Sequence, residues 1–264
     1  MSGTQGVRIG VAGARGRMGR AVAAAVQARP GLVLATLFDH EGTEGETVDG
    51  RVLGSRNDIF GACDVVIDFS TPSASAELAS IASVRGGPCL VIGSTGFDPA
   101  SEKTVQEAAR KLAIVKSGNF SLGVNVLLGL VARAARALPD SVYDVEISEE
   151  HHKRKVDAPS GTALMLGEAV AQGRGVKLQD AMAPARHGIT GPRKVGSIGF
   201  SSLRLGDVIG EHSVLFAAED EILTLSHSAR DRSLFARGAV EAAAWVAGKP
   251  AGLYDMQDVL GMKG

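Results

Sequence analysis

A glycine-rich turn between a β-rich run and a helical pattern, close to the amino terminus, is the feature that most limits how this chain can fold. The run Val7–Ala12 precedes the turn, and apolar residues from Met18 to Val26 then recur at the spacing of an amphipathic helix. Pro30-Gly31 ends the helix, and Leu32–Phe38 forms a second apolar strand. Two strands joined by a helix predict a βαβ unit with parallel strands.

Strands and helices go on alternating as far as residue 116. Strand-like runs occupy 64–70, 88–92 and 113–116, and helical patterns occupy 73–84 and 98–112. Such alternation is typical of α/β proteins with a Rossmann-like, doubly wound parallel sheet. We therefore predict this fold for a first domain, residues 1–121.

The pattern changes after residue 121, where an apolar helix covers about 122–138. Extended runs then follow one another near 142–150, 196–205, 208–217 and 220–227. Strands that follow strands predict a second, α+β domain built on a mixed sheet, residues 122–231. The glycine-rich residues 171–195 predict a long loop within it.

Glycines 13, 16 and 19 lie in the first turn, where they let the backbone approach a pyrophosphate at the start of the helix. Asp39 lies 20 residues beyond Gly19, at the end of the second strand, where a carboxylate binds the adenosine ribose of a dinucleotide. The alternative is a tight turn with Asp39 as a surface cap. We predict a dinucleotide site formed by Gly13, Ala14, Arg15, Gly16, Arg17, Met18, Asp39 and His40.

Charges around the predicted ribose site leave the cofactor preference open. Asp39 favours NADH, whereas the cations of Arg15, Arg17 and His40 are placed to meet the 2′-phosphate of NADPH. Three further strand ends reach the same edge of the sheet, although each alone is better explained as a routine turn. These ends contain Phe69, Gly93, Ser94, Thr95, Ser117, Gly118, Asn119 and Phe120.

Residues 146–163 combine carboxylates, adjacent histidines and further cations. Histidine exchanges protons near neutral pH, and the ammonium group of Lys155 is suited to donating one. Neighbouring side chains of an extended segment point to opposite faces, so His151 and His152 do not chelate one ion, and we predict no metal site. The alternative is a solvated basic patch without a chemical role.

A helical pattern follows this basic run and begins at about Ser160. The backbone N–H groups of the first helical turn gather at Gly161 and Thr162, where they are suited to hold a carboxylate. The plainer interpretation is that Ser160 acts only as an N-cap, and both roles can coexist.

Charge and composition exclude several classes of protein. A formal net charge of -1 gives no global field for polyanions, so neither nucleic acid nor a membrane is the expected partner. The longest apolar stretch, 122–132, is shorter than the roughly 18 residues that a membrane span needs. Residues 1–6 show no secretory signal, so we expect a cytoplasmic enzyme. Cys63 and Cys89 are expected to pack in the core.

The run Glu149–Ala163 resembles the signature of the dihydrodipicolinate reductases of lysine and diaminopimelate biosynthesis, and the similarity extends over nearly the whole chain. The resemblance implies an NADH- or NADPH-dependent reductase acting on a cyclic dicarboxylate. Hydride would be delivered to the ring of 4-hydroxy-tetrahydrodipicolinate, with loss of water, to give tetrahydrodipicolinate. The resemblance assigns acid/base catalysis to His151, proton donation to Lys155, and substrate contacts to His152, Gly161 and Thr162. It also implies that the strand ends at 69, 93–95 and 117–120 contact the cofactor, with the 93–95 and 118–120 loops lining the nicotinamide side.

The resemblance also implies that residues 232–264 pack back on the first domain and that the second-domain sheet forms a homotetramer. Two other functions are compatible with parts of the sequence. One is a different two-domain NAD(P) oxidoreductase that acts on a carbonyl or imine. The other is a redox sensor, which needs the glycine turn and Asp39 but not His151 or Lys155.

Overall fold

A computed structural model describes residues 6–263, in which strands alternate with helices up to residue 121 and dominate afterwards. The strands are β1 Val7–Ala12, β2 Leu32–Phe38, β3 Thr47–Val48, β4 Arg51–Val52, β5 Val65–Asp68, β6 Cys89–Ile92, β7 Ala113–Lys116, β8 Asp144–His151, β9 Ile198–Arg204, β10 Glu211–Ala217, β11 Ile222–Ser228 and β12 Gly252–Tyr254. The helices are α1 Arg17–Ala28, α2 Ile59–Ala62, α3 Pro72–Arg85, α4 Pro99–Ala108, α5 Leu122–Ala137, α6 Gly161–Arg174, α7 Leu178–Ala181, α8 Ser233–Val246 and α9 Met256–Val259.

The first sheet has the strand order β12-β7-β6-β5-β1-β2, and all of its pairings are parallel. Apolar clusters cover it, so that residues such as Ile9, Val65 and Ile67 are fully buried. The chain leaves β1 and β5 in opposite directions across the sheet, which places the loops after these two strands at the topological switch point. The predicted doubly wound parallel sheet is confirmed.

The second sheet has the order β11-β10-β8-β9 and is mixed, because β8 pairs in parallel with β9 and antiparallel with β10. Alternate residues of β8 are buried, and Val145 and Ile147 pack in one apolar cluster with Leu166 of α6 and Val131 of α5. The predicted α+β arrangement on a mixed sheet is also confirmed.

The described residues divide into two compact units. One contains the chain up to Leu122 together with Ser233–Gly261, and the other contains Gly123–Arg232 together with Met262 and Lys263. The carboxyl-terminal segment joins the first unit because β12 pairs with β7 and the alanine-rich face of α8 lies in its core. Trp245 and Tyr254 add an edge-to-face ring contact, with centroids 5.2 Å apart.

The prediction of a loop over residues 171–195 is wrong in its first part, where α6 continues to Arg174 and α7 follows. A Cβ atom on Gly173 would lie 2.4 Å from the carbonyl oxygen of Ala132, so this glycine permits close packing of α6 on α5. Helix α6 ends at Arg174, and Gly175 caps it with a left-handed φ of 68°. The helix predicted to reach residue 112 ends at Ala108.

Within residues 6–263, no helix is long and apolar enough to cross a membrane. Residues 1–5, which carry most of the prediction that no secretory signal is present, lie outside the described part of the chain. Cys63 and Cys89 are both free, and burial raises the pKa of the Cys63 thiol to about 11.

Candidate active site

The turn after β1 brings the backbone close to the loop after β5. Gly13 has a φ of 71°, and a Cβ atom there would lie 3.1 Å from both the carbonyl oxygen of Phe69 and the amide nitrogen of Ser70. A Cβ atom on Gly19 would lie 2.2 Å from the carbonyl oxygen of Gly13. Helix α1 begins immediately after Gly16, so its first N–H groups have no partner within the helix.

Asp39 lies on the other side of this turn. Its carboxylate accepts hydrogen bonds from the backbone N–H of Arg15, at 2.9 Å, and of His40, at 3.0 Å. The Arg15 Nη1 atom lies 3.3 Å from His40 Nε2, which brings together the carboxylate and two of the side chains predicted for the ribose end of a dinucleotide. Arg17 is exposed on the first turn of α1.

A cleft of about 860 Å³ opens at this edge of the sheet, within the range of roughly 300–1,000 Å³ usual for small-molecule sites. Its predicted lining residues are Gly13, Arg15, Gly16, Asp39, His40 and Phe69. The side chains of Ala14 and Met18 instead pack in the apolar core. The cleft is also lined by residues that were not predicted, among them Arg56, Asp68, Ser70, Thr71 and Glu77.

The other predicted cofactor loops do not line this cleft, but Phe69 connects two of them. Its ring lies so close to Gly93 that a Cβ atom there would be 2.2 Å away, and its centroid is 5.7 Å from that of Phe120. Ser94 Oγ is 2.7 Å from Ser75 Oγ, and Ser117 Oγ donates to the carbonyl oxygen of Asn119 at 2.7 Å. Thr95 and Gly118 are exposed in the same loops.

Asp68, at the end of β5, is a buried acid that was not predicted as a site residue. Burial raises the pKa of its carboxyl group, although Oδ1 accepts hydrogen bonds from the backbone N–H and the hydroxyl of Ser70 at 2.8 and 2.5 Å. Its Oδ2 atom has no hydrogen-bond partner. An aspartate that closes an otherwise apolar strand was the available signal.

His151 lies at the end of β8, in a buried polar cluster of the second unit. Its Nδ1 atom is 2.5 Å from Glu149 Oε2. Arg204 donates to both oxygens of the same carboxylate, at 2.9 and 2.8 Å, and the backbone N–H of Ser160 donates to Oε1 at 3.2 Å. Ser160 Oγ is 3.2 Å from Nε2 of His212, whose ring centroid is 5.1 Å from that of His151.

Burial and the neighbouring charges set the protonation of this cluster. Burial alone would raise the pKa of Glu149, but hydrogen bonds from Arg204 and other neighbours outweigh it and hold the pKa at about 2. Burial lowers the pKa of His151, with Lys155 and Arg204 acting in the same direction against the attraction of Glu149. Burial also lowers the pKa of His212, to about 4. Glu149 is therefore anionic and His212 neutral at pH 7.

The remaining predicted substrate residues surround the start of α6. Ser160 caps this helix by accepting from the backbone N–H of Ala163 at 3.2 Å, and Gly161 and Thr162 are its first residues. Lys155 Nζ lies 2.9 Å from Asp157 Oδ1, and the Nδ1 atom of His152 is buried without a hydrogen-bond partner. Ser160 is thus an N-cap, and space stays open beside Gly161.

Within residues 6–263 no group of three or more histidine, cysteine or acidic side chains is placed to hold a metal ion.

Glu149, Arg204 and His212 belong to the polar cluster around His151, although none was predicted as a site residue. Alternation along β8 was a usable signal for Glu149, because it places Glu149 and His151 on the same face.

His212 is expected to make stability depend on pH. Its folded pKa of about 4 lies below the ordinary 6.5, so the unfolded chain takes up the proton first and stability is lost as the pH falls below 6.5. At pH 5, protonation of His212 in the unfolded chain lowers the free energy of unfolding by an amount on the order of 2 kcal/mol. His212→Asn should therefore show a smaller drop in the free energy of unfolding between pH 7 and pH 5, measured by urea titration. An equal drop in both proteins would contradict this assignment.

Comparison with known proteins decides the family. Residues 7–120 match the model described as dihydrodipicolinate reductase, N-terminus, and residues 123–260 match the corresponding C-terminus model. This chain belongs to the dihydrodipicolinate reductase family. It is 58% identical over 260 residues to the 4-hydroxy-tetrahydrodipicolinate reductase of Caulobacter vibrioides, covering 98% of this chain and 99% of that protein. The reductase of Parvibaculum lavamentivorans is 49% identical over 272 residues, covering 98% and 100% of the two chains.

Solved structures share the fold of this family member. The dipicolinate-bound dihydrodipicolinate reductase from Paenisporosarcina sp. TG-14 superposes with a TM-score of 0.77 at 24% identity, over 96% of this chain and 98% of that one. An aspartate semialdehyde dehydrogenase II from Vibrio cholerae has a TM-score of 0.57 at 11% identity, over 91% and 97% of the chains. These similarities concern the fold alone.

Proposed function

We propose that this chain is an NADH- or NADPH-dependent reductase that converts 4-hydroxy-tetrahydrodipicolinate to tetrahydrodipicolinate with loss of water, in lysine and diaminopimelate biosynthesis. The observation that carries the proposal is the buried Glu149–His151 pair beside the start of α6, in a chain similar over its whole length to reductases of that name. A dinucleotide site on the first unit binds the cofactor, and a dicarboxylate site on the second unit binds the substrate.

The residues of the first unit fit a nicotinamide dinucleotide. Gly13 lines the cleft and lets the turn pack closely on the backbone of Phe69, and the first N–H groups of α1 are available to a pyrophosphate. Asp39 is placed to accept from ribose hydroxyls, and Phe69 lies between the glycine turn and the 93–95 loop. When bound, the reduced cofactor supplies the hydride.

The residues of the second unit supply binding and proton chemistry. The N–H groups of Gly161 and Thr162 hold one substrate carboxylate, and His152 contributes a further contact. Lys155 donates a proton to the substrate, and His151 acts as general acid/base as water is lost. The overall change consumes the reduced cofactor and one proton and releases the oxidised cofactor and water.

Asp39→Ala is expected to shift the cofactor preference toward NADPH. The variant loses the acceptor for the ribose hydroxyls, whereas Arg15 and His40 remain to meet a 2′-phosphate. Hydrogen bonds to charged groups contribute about 1.5–3 kcal/mol, so the ratio of kcat/KM for NADPH to that for NADH should rise roughly tenfold or more. Steady-state kinetics with both cofactors measure the ratio, with Glu107→Ala, a change of an exposed side chain on α4, as control. An unchanged ratio would show that Asp39 does not contact the ribose.

The test of the function is turnover of the unstable substrate, made freshly by its upstream synthase. Oxidation of NADH and of NADPH is followed at 340 nm, and the product is identified by mass spectrometry. Synthase-dependent oxidation with formation of tetrahydrodipicolinate supports the proposal, and oxidation without that product would contradict it. A redox sensor would bind the cofactor without turnover, and another oxidoreductase would prefer a different carbonyl or imine.

We also propose a homotetramer formed through the second sheet. The family resemblance supports it, and so do apolar side chains on this sheet, since Ile222 of β11 is 63% exposed and Leu203 of β9 is 51% exposed. Sedimentation velocity distinguishes the tetramer from the monomer. A cytoplasmic location and the absence of nucleic-acid or membrane partners stay predictions from the sequence.

A further inference from the structure

We propose that Glu149, clamped by Arg204, is a positioning residue that fixes the tautomer of His151 and ties this imidazole to the carboxylate-binding start of α6. The inference rests on the proposed function, because it concerns how the proton-transferring group of that reaction is oriented. Neither Glu149 nor Arg204 is assigned a contact with substrate or cofactor.

The clamp is a bidentate ion pair away from solvent. The Glu149 side chain is 1% exposed, and each of its oxygens accepts one hydrogen bond from Arg204. Arg204 also donates to the carbonyl oxygens of Leu203 and Asp157, at 2.7 and 2.6 Å. A fork with two parallel hydrogen bonds fixes direction as well as distance, so the carboxylate has one orientation.

The protonation state of Glu149 determines which nitrogen of His151 carries the hydrogen. With a pKa of about 2, the carboxylate is ionised at neutral pH and only accepts hydrogen bonds. His151 Nδ1, at 2.5 Å from Glu149 Oε2, must therefore be the protonated nitrogen of the neutral ring. The lone pair then resides on Nε2, which is the atom left to accept or return a proton.

Gly210 is the residue that faces this free nitrogen. A Cβ atom on Gly210 would lie 3.2 Å from His151 Nε2, so any larger side chain would crowd the nitrogen. Glu149, held by Arg204, binds the Nδ1–H of His151, and Gly210 leaves space beside Nε2. Both features therefore favour a ring whose Nε2 is available for proton transfer.

The same carboxylate also fixes the start of α6. Glu149 Oε1 accepts from the backbone N–H of Ser160, while Ser160 Oγ caps the helix through the N–H of Ala163. The Glu149 carboxylate thus holds both the His151 imidazole and the start of the helix that carries the N–H groups of Gly161 and Thr162. A shift of Glu149 would move the proton-transferring group and the carboxylate site together.

Burial lowers the pKa of His151, and the charged groups that face the ring act on it as well. Glu149 attracts the proton, whereas Lys155 and Arg204 repel it, and His212 packs edge-to-face against the ring.

Glu149→Gln removes the attractive anion but keeps the shape of the side chain and an acceptor oxygen. Because this lowers the pKa of His151, we expect the basic limb of the pH–rate profile to shift to a lower pH than in the wild type. The partners that orient metal-binding histidines contribute roughly 10- to 100-fold, and we expect a loss of kcat of that size with a smaller change in KM.

Nitrogen-15 NMR of histidine-labelled protein tests the inference without reference to turnover. The wild type at pH 7.5 should show the Nδ1–H tautomer for His151, identified by loss of its signals in His151→Gln. In Glu149→Gln the tautomer population and the titration of this signal should change, and Glu149→Asp should restore part of both. The matched control is Glu150→Gln, the next residue on the other face of β8, which should leave the signal unchanged.

Each outcome decides between the two proposals. An Nε2–H tautomer in the wild type would overturn the positioning role even if Glu149→Gln fails to fold. An unchanged His151 titration and an unchanged pH–rate profile in folded Glu149→Gln would overturn it as well. A normal Nδ1–H signal in a wild type that does not turn over the substrate would instead retain the tautomer assignment and reject the proposed function.

Discussion

Replacing His151 by glutamine is expected to lower kcat by roughly 100- to 10,000-fold, the range typical of a lost general acid/base. Glutamine can still donate an N–H to Glu149, and Arg204 and Ser160 continue to satisfy that carboxylate. The buried cluster therefore stays paired, and the Tm should change little. Kinetics with the synthase-generated substrate, together with circular dichroism melting, measure both quantities.

Lys155→Ala should lower kcat by roughly 100-fold or more for the same reason, because its ammonium is the proposed proton donor. The basic run provides a matched control, since Lys153 is exposed two residues away. Lys153→Ala should retain activity if the run has a specific chemical role. Equal losses in both lysine variants would favour the solvated basic patch, and full activity of His151→Gln and Lys155→Ala would refute the catalytic assignment.

Gly238→Ala is expected to cause the largest loss of stability. A Cβ atom at this position of α8 would lie 1.7 Å from the carbonyl oxygen of Phe120, and a backbone atom cannot move aside as a flexible side chain can. Overpacking of this kind costs about 1–3 kcal/mol or more, and it outweighs the gain of up to about 1 kcal/mol that alanine brings to a helix. The Tm should fall by roughly 5–10 °C.

The control for this variant is Arg237→Ala, an exposed neighbour on the same helix. It should melt within about 2 °C of the wild type, since surface changes usually stay within about 0.5 kcal/mol. NADH binding gives a second readout, because Phe120 packs against Phe69 of the cleft and Gly238→Ala should weaken the affinity. A Tm equal to or above that of the wild type would show that α8 does not pack this closely on Phe120.

The first sheet could be predicted because its signal is local. Strands buried on both faces are continuous apolar runs, and glycine and proline mark the ends of the helices between them. The same rule was wrong around Gly173, where the missing side chain serves helix packing instead of a loop. The short strand β12 has little pattern of its own and depends on pairing with β7, so sequence periodicity does not reveal it.

The candidate site shows the same division. The histidines, the lysine and the helix start are adjacent in sequence, so their common role was predictable. Arg204 is 55 residues from the glutamate that it clamps, and the two meet only because β9 pairs in parallel with β8. Long-range partners of this kind follow from strand register, which periodicity does not fix. Ser75 is likewise a buried polar group whose partner, Ser94, comes from a separate loop.

The proposed reaction transfers hydride from the reduced cofactor to the ring of the substrate while water leaves. Turnover of synthase-generated substrate with NADH carrying deuterium at both C4 positions tests this directly, with mass spectrometry of the promptly quenched product. We expect tetrahydrodipicolinate that carries one deuterium, with an equal amount of oxidised cofactor that retains the other. Unlabelled tetrahydrodipicolinate, or oxidised cofactor without this product, would contradict it.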